Sequence, residues 1–123
     1  MNIDFNSEIP IYLQVAEEIE DAILTGAFPE ETQVPSTTEV SVTYRINPAT
    51  VLKGMTLLVD ENTLYKKRGV GMFVSQGAPE RILEKRKKAF YDAYVVRLLD
   101  EAAKLHISRE EILNMIKGEN RDE

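Results

Sequence analysis

Ile46-Asn47-Pro48-Ala49-Thr50-Val51 and, farther on, Leu64-Tyr65-Lys66-Lys67-Arg68-Gly69-Val70-Gly71-Met72-Phe73-Val74 are the two stretches from which the fold can be read. Asn47 can accept from the orphan amides of a first helical turn, and Pro48 suits the first helical position. The second stretch reads as two short strands, residues 64–67 and 72–75, joined by a turn containing Gly69 and Gly71. A helix that begins so cleanly can enter a major groove. A basic hairpin beside it can follow the phosphates or dip into the minor groove. Together they are what a winged helix-turn-helix requires.

Working outward, residues 10–25 predict a first helix. Tyr12, Val15, Ile19, Ala22 and Ile23 recur at helical spacing, Pro10 sits in the first turn, and Gly26 is a left-handed stop. Glu17, Glu18 and Asp21 fall on the wet face. A turn-rich segment follows, with a short strand at Gln33-Val34. Ser36-Thr37-Thr38-Glu39 is a capping box that opens a short second helix ending near Tyr44-Arg45. In the third helix Val51, Met55, Leu58 and Val59 share one face, while Thr50 and Lys53 lie on the other. Asn62 can end it in the left-handed conformation.

Past Gly77-Ala78-Pro79 the composition changes. Residues 80–105 form one long helical pattern that opens with Arg81, Lys85, Arg86, Lys87 and Lys88, a run read as a solvated face. Tyr91, Tyr94, Leu98, Ala102 and Leu105 then make an apolar stripe at three-and-four spacing. Ser108 to Glu111 is a second capping box, with Ile107 and Ile112 as a hydrophobic staple, so a last helix runs to Lys117 before Gly118. Residues 119–123 are expected to fray. Two helices cannot cover their own apolar faces, so Tyr91, Tyr94, Leu98, Ala102, Leu105 and Ile112 are assigned to a homodimer interface.

Composition narrows the function classes. The 123 residues suit one domain with an appendage, and the absence of cysteine excludes disulfides and thiolate metal sites. The first residues, Met1-Asn2-Ile3-Asp4-Phe5, carry no signal-peptide pattern, and no run approaches the roughly 18 apolar residues of a membrane span. A soluble cytoplasmic protein without membrane attachment is expected. The net charge of −6 opposes DNA binding if taken alone, but its distribution is uneven. Nine acidic residues and no Lys or Arg precede Arg45, whereas fifteen basic residues stand against twelve acidic ones from there on. Acid on a remote face is largely screened beyond a Debye length of about 8–10 Å.

Catalysis finds little support. His106, the single histidine, lies near a helix C-terminus, where it favours the dipole. The carboxylates sit on helix exteriors without an apolar pocket that would set one of them up for acid–base work. No enzyme activity, cofactor or metal is expected. The fold class is α+β, mainly helical: a winged helix-turn-helix over residues 1–75, then a two-helix dimerisation segment over 76–123.

At Pro35-Ser36, at Ile46 to Val51 and at Lys67 to Val74, the chain resembles the GntR family of bacterial transcription regulators. Pro10-Ile11-Tyr12-Leu13-Gln14 and Ile23-Leu24-Thr25-Gly26 extend the resemblance to about residues 8–75. The Asn-Pro-x-Thr-Val start and the two-helix tail resemble the YtrA-type subfamily. The resemblance implies a homodimeric regulator, a repressor in the first instance, on a pseudo-palindromic double-stranded DNA operator, commonly beside ABC-transporter genes. It implies a phosphate contact from Ser36, a major-groove face at Asn47, Ala49, Thr50 and Lys53, and a minor-groove wing tip at Lys67, Arg68 and Gly69. Three positions depart from the family. Thr38, kept in the DNA-binding set, stands where Arg is usual, Leu52 where a polar or basic residue is frequent, and Met72 where Thr is common. Losing a base-reading Arg costs about 1–3 kcal/mol of discrimination, which implies an atypical operator or weaker binding. The short tail leaves no room for the large effector domains of other members; any small-molecule effector would sit between the helices or at the dimer seam. The alternative reading is a winged-helix protein-interaction module with weak or no DNA binding.

Overall fold

Local signals set most of the element boundaries in the computed structural model, which describes residues 2–118. Helix α1, Ile11–Leu24, begins after Pro10, whose φ of −53° presets the first turn, and Gly26 takes the left-handed stop. Helix α2, Thr37–Tyr44, opens on a complete capping box. The Ser36 hydroxyl accepts from the Glu39 N–H at 3.0 Å, and the Ser36 N–H donates to the Glu39 carboxylate at 3.3 Å. Helix α3, Pro48–Asp60, starts at Asn47, whose Oδ1 accepts from the Ala49 N–H at 2.8 Å. It ends as expected at Asn62, in the left-handed region, with the Thr63 N–H reaching back to the Leu58 carbonyl at 2.9 Å.

Strands β1, Leu64–Lys67, and β2, Gly71–Val74, pair antiparallel, with Tyr65 opposite Phe73 and Lys67 opposite Gly71. The short strand expected at Gln33-Val34 is a single bridge from Gln33 to Phe73 on the free edge of β2. The Val34 N–H donates to Met72 and the Val74 N–H to Thr32, each at 3.0 Å, so β2 is held on both sides.

Helix α4, Ala78–Phe90, a π-helical turn, Tyr91–Val95, and helix α5, Val96–Lys104, occupy the stretch expected as one α-helix. The Val96 N–H reaches five residues back to Tyr91. This wider turn takes up an extra residue and shifts the phase of the apolar stripe. Helix α5 ends in a Schellman closure: Ile107 N–H to Ala102 at 2.9 Å, and His106 N–H to Ala103 at 3.3 Å. His106, at φ +58°, thus forms the left-handed stop itself. Helix α6, Arg109–Lys117, is capped by Ser108. The Ser108 hydroxyl accepts from the Glu111 N–H at 3.1 Å and lies 3.3 Å from the Glu111 carboxylate, so the capping box expected there is half made.

The chain divides into two compact units, Met1–Leu83 and Glu84–Glu123. The division falls beyond the expected 75/76 boundary because Ala78 and Ile82 are buried in the first core. Arg81, from the basic run, is anchored in that unit: its Nη1 donates to the Asn62 and Gln76 carbonyls, each at 2.9 Å. Residues 119–123, expected to fray, lie outside the described residues. Among the described residues no helix is long and apolar enough to cross a membrane.

In the first unit α3 lies against α1, with Val51, Met55 and Leu58 buried beside Val15 and Ile19. Gly54 makes this approach possible. A Cβ there would stand 2.6 Å from the Tyr12 carbonyl oxygen and 3.2 Å from Val15. Gly54→Ala is therefore expected to destabilise the protein by about 1–3 kcal/mol, although alanine gains about 1 kcal/mol in helix propensity. Denaturant unfolding checks this. A variant as stable as the parent would mean that the helices can separate freely.

Candidate nucleic-acid interface

The α2–α3 corner is set by backbone geometry and one buried hydroxyl. Arg45, at φ +54°, reverses the chain, and the Ser41 hydroxyl donates to the Ile46 carbonyl at 2.6 Å in the interior. Ile46 is buried at the corner, and the Thr37 hydroxyl reaches the Met55 sulfur at 3.4 Å, tying the start of α2 to α3. The N-terminal ends of α2 and α3 are thereby fixed within one rigid corner.

Of the residues expected at DNA, Ser36, Thr38, Asn47, Ala49 and Lys53 are exposed and Thr50 is half-buried. Ser36 uses its oxygen to accept from Glu39, which leaves its hydroxyl hydrogen to donate to an anion. Asn47 uses Oδ1 for its own helix, so its amide hydrogens remain donors at the helix start. Ala49, Leu52, Lys53 and Thr56 recur at helical spacing on the exposed face of α3. Lys53, exposed on this face, also makes a contact that the sequence did not announce. Its ammonium lies 4.1 Å from the centroid of the Tyr12 ring, a cation–π contact back onto α1.

The hairpin carries the second group. Lys67, Arg68 and Gly69 are exposed at its tip, where the Val70 N–H closes the turn onto the Lys67 carbonyl at 2.9 Å. Tyr65 and Phe73 stack with centroids 5.7 Å apart, and the Lys67 ammonium lies 4.4 Å from the Phe73 centroid. The Tyr65 hydroxyl donates to Glu31 at 2.6 Å. That hydrogen bond, with slight desolvation and the carboxylate charge, raises the Tyr65 pKa, so the phenol remains protonated. Gln33 was not among the expected site residues, yet its Nε2 donates to the Val70 carbonyl at 2.9 Å and pins the tip.

The second unit holds the expected dimer residues. Tyr91, Tyr94, Leu98 and Leu105 are exposed, Tyr94 at 65% and Leu105 at 68%. Ala102 and Ile112 are instead buried. Phe90, Leu113, Met115 and Ile116 are large exposed apolar residues that the stripe did not include. The rings of Phe90 and Tyr94 lie 5.2 Å apart, and a groove of about 400 Å³ runs along Leu98, Leu105, Ile107, Met115 and Ile116.

Residues 11–74 match the gntR family of bacterial regulatory proteins. The HTH-type transcriptional repressor NagR of Bacillus subtilis is 36% identical over 84 residues, which cover 68% of this chain and only 35% of NagR. The HTH-type transcriptional repressor YtrA of Bacillus subtilis is 29% identical over 126 aligned residues, covering 96% of this chain and 95% of YtrA. A crystal structure of a GntR-family transcriptional regulator from Bacteroides thetaiotaomicron superposes with a TM-score of 0.74 at 37% identity, covering 88% of this chain and 94% of that one.

The wing tip yields a sharp stability test. Gly71 has φ +145°, and a Cβ there would meet the Gln33 amide nitrogen at 2.5 Å. Gly71→Ala is expected to cost about 1–3 kcal/mol. Adding Gln33→Ala should recover part of that loss by removing the clash, while the backbone strain stays. Thermal unfolding of the parent, both single variants and the double variant measures the coupling, and strictly additive losses would refute the contact.

Proposed function

The chain belongs to the GntR family of bacterial regulatory proteins, and we propose that it represses transcription as a homodimer bound to a pseudo-palindromic DNA operator. It is a transcriptional regulator with a winged-helix DNA-binding domain and not an enzyme. The observation that carries the operator reading is the pairing, within one compact unit, of unspent donors at two capped helix starts with a pinned cationic tip. Ser36 holds a phosphate, the start of α3 enters the major groove, and Lys67 and Arg68 meet the backbone or minor groove. Two-fold symmetry would set the recognition helices about 34 Å apart, or a multiple of that.

The acidic balance of the first unit makes the tip decisive. Up to Leu83 the sequence holds six basic against twelve acidic residues, so little non-specific attraction is available. Binding to a duplex selected from random DNA, measured across a salt series, tests the reading. Lys67→Ala and Arg68→Ala should each weaken binding and lower the salt slope by about 0.9 for every phosphate that is no longer neutralised. A salt-independent affinity would refute it.

The dimer is proposed to form on the second unit, where Tyr94, Leu98 and Leu105 stay exposed. A soluble monomer seldom carries so dense an apolar set, and a second copy would remove it from water. Tyr94→Asp and Leu98→Asp are expected to sediment as monomers at concentrations where the parent is a dimer. A dimeric variant would place the interface elsewhere.

A further inference from the structure

The exposed face of α3 mixes polar residues with an apolar patch at its N-terminal half. Leu52 is 46% exposed there, and Ala49 lies one turn before it on the same face. Both line a shallow cleft of about 490 Å³ with Tyr12, Lys53, Thr56, Leu57 and, at its far end, Asp60. Lys53, the cation of this face, is held 4.1 Å from the Tyr12 ring centroid. The polar donor at the helix start is Asn47, one turn or so before Leu52.

In the major groove one base edge alone carries an apolar group, the 5-methyl of thymine. Every other edge presents donors or acceptors that a leucine would leave unpaired, at a cost. On the operator reading, the small Ala49 would let the groove floor approach α3, and Leu52, on the same exposed face, would project toward it. We infer that Leu52, with Ala49 beside it, is a specificity-determining contact to a thymine methyl group in each half-site. This rests on the operator reading above and says which base chemistry that surface selects. A protein partner is disfavoured as the occupant because the apolar face continues directly from the capped start of α3, whose donors suit bases and phosphates.

The experiment uses the full chain and a duplex enriched by it from random DNA, with each thymine replaced in turn by deoxyuridine, which lacks only the methyl. The parent should bind about fourfold more weakly per half-site at the contacted position, the value of one buried methyl group. Leu52→Ala should weaken binding by a similar factor on the thymine duplex, show no further weakening on deoxyuridine, and keep the parent's salt slope. A parent indifferent to deoxyuridine at every position overturns the assignment, as does a variant that still senses the methyl in full. If no duplex is enriched, the operator reading falls and this assignment with it.

Discussion

Gly54 lets α3 press against the backbone of α1, and the surface the first unit presents depends on that approach. With the Tyr12 carbonyl and Val15 seated where a side chain would be, Val51, Met55 and Leu58 are driven inward. The opposite face, Ala49 to Thr56, is then obliged to face outward. The same closeness brings the Tyr12 ring within reach of Lys53. One absent methyl group therefore positions the core of α3, its exposed face and the cation on that face.

The electrostatics differ from those of a basic DNA-binding domain. In the first unit, twelve acidic residues against six basic ones leave few cations to attract phosphate, and the Arg81 guanidinium is engaged within the fold. Three of the other five, Lys66, Lys67 and Arg68, lie in the hairpin, which is correspondingly well held. Gln33 grips the Val70 carbonyl, Tyr65 stacks on Phe73 and bonds Glu31, and Lys67 lies over Phe73. A rigid tip loses less entropy on binding, so a small number of cations can count for more.

Features governed by short-range physics were legible in the chain. The Ser36–Glu39 box, the Asn47-Pro48 start, the Asn62 stop and the hairpin all depend on residues within a few positions of each other, and all are found. Features made by distant segments were hidden. Gln33 meets Val70 across 37 positions, and Lys53 turns back onto Tyr12 in the first helix, contacts that no local pattern announces. Left-handed Arg45 and His106 were also hidden, since a side chain takes that conformation only where the closure around it demands it. In the tail, periodicity marked the apolar stripe but could not say which of its members the fold buries. Ala102 and Ile112 turned inward, and the wider π turn had no Pro or Gly to signal it.

The two units make sense together through linkage. With twelve acidic against six basic residues, a single first unit would draw little non-specific attraction from a duplex. Joining two such units converts the second binding event into an intramolecular one, which multiplies weak affinities without any new contact. The second unit buries Ala102 and Ile112 yet leaves Tyr94, Leu105 and Ile116 in water, which is what the proposed partner would cover. In the proposed dimer, burial of that surface would stabilise the tail and supply the avidity that the charge balance of the first unit withholds. Weak single-unit binding then becomes an advantage, because discrimination rests on both half-sites being correct at once. An apolar readout at Leu52 fits that scheme, since it adds selectivity at each half-site without adding charge.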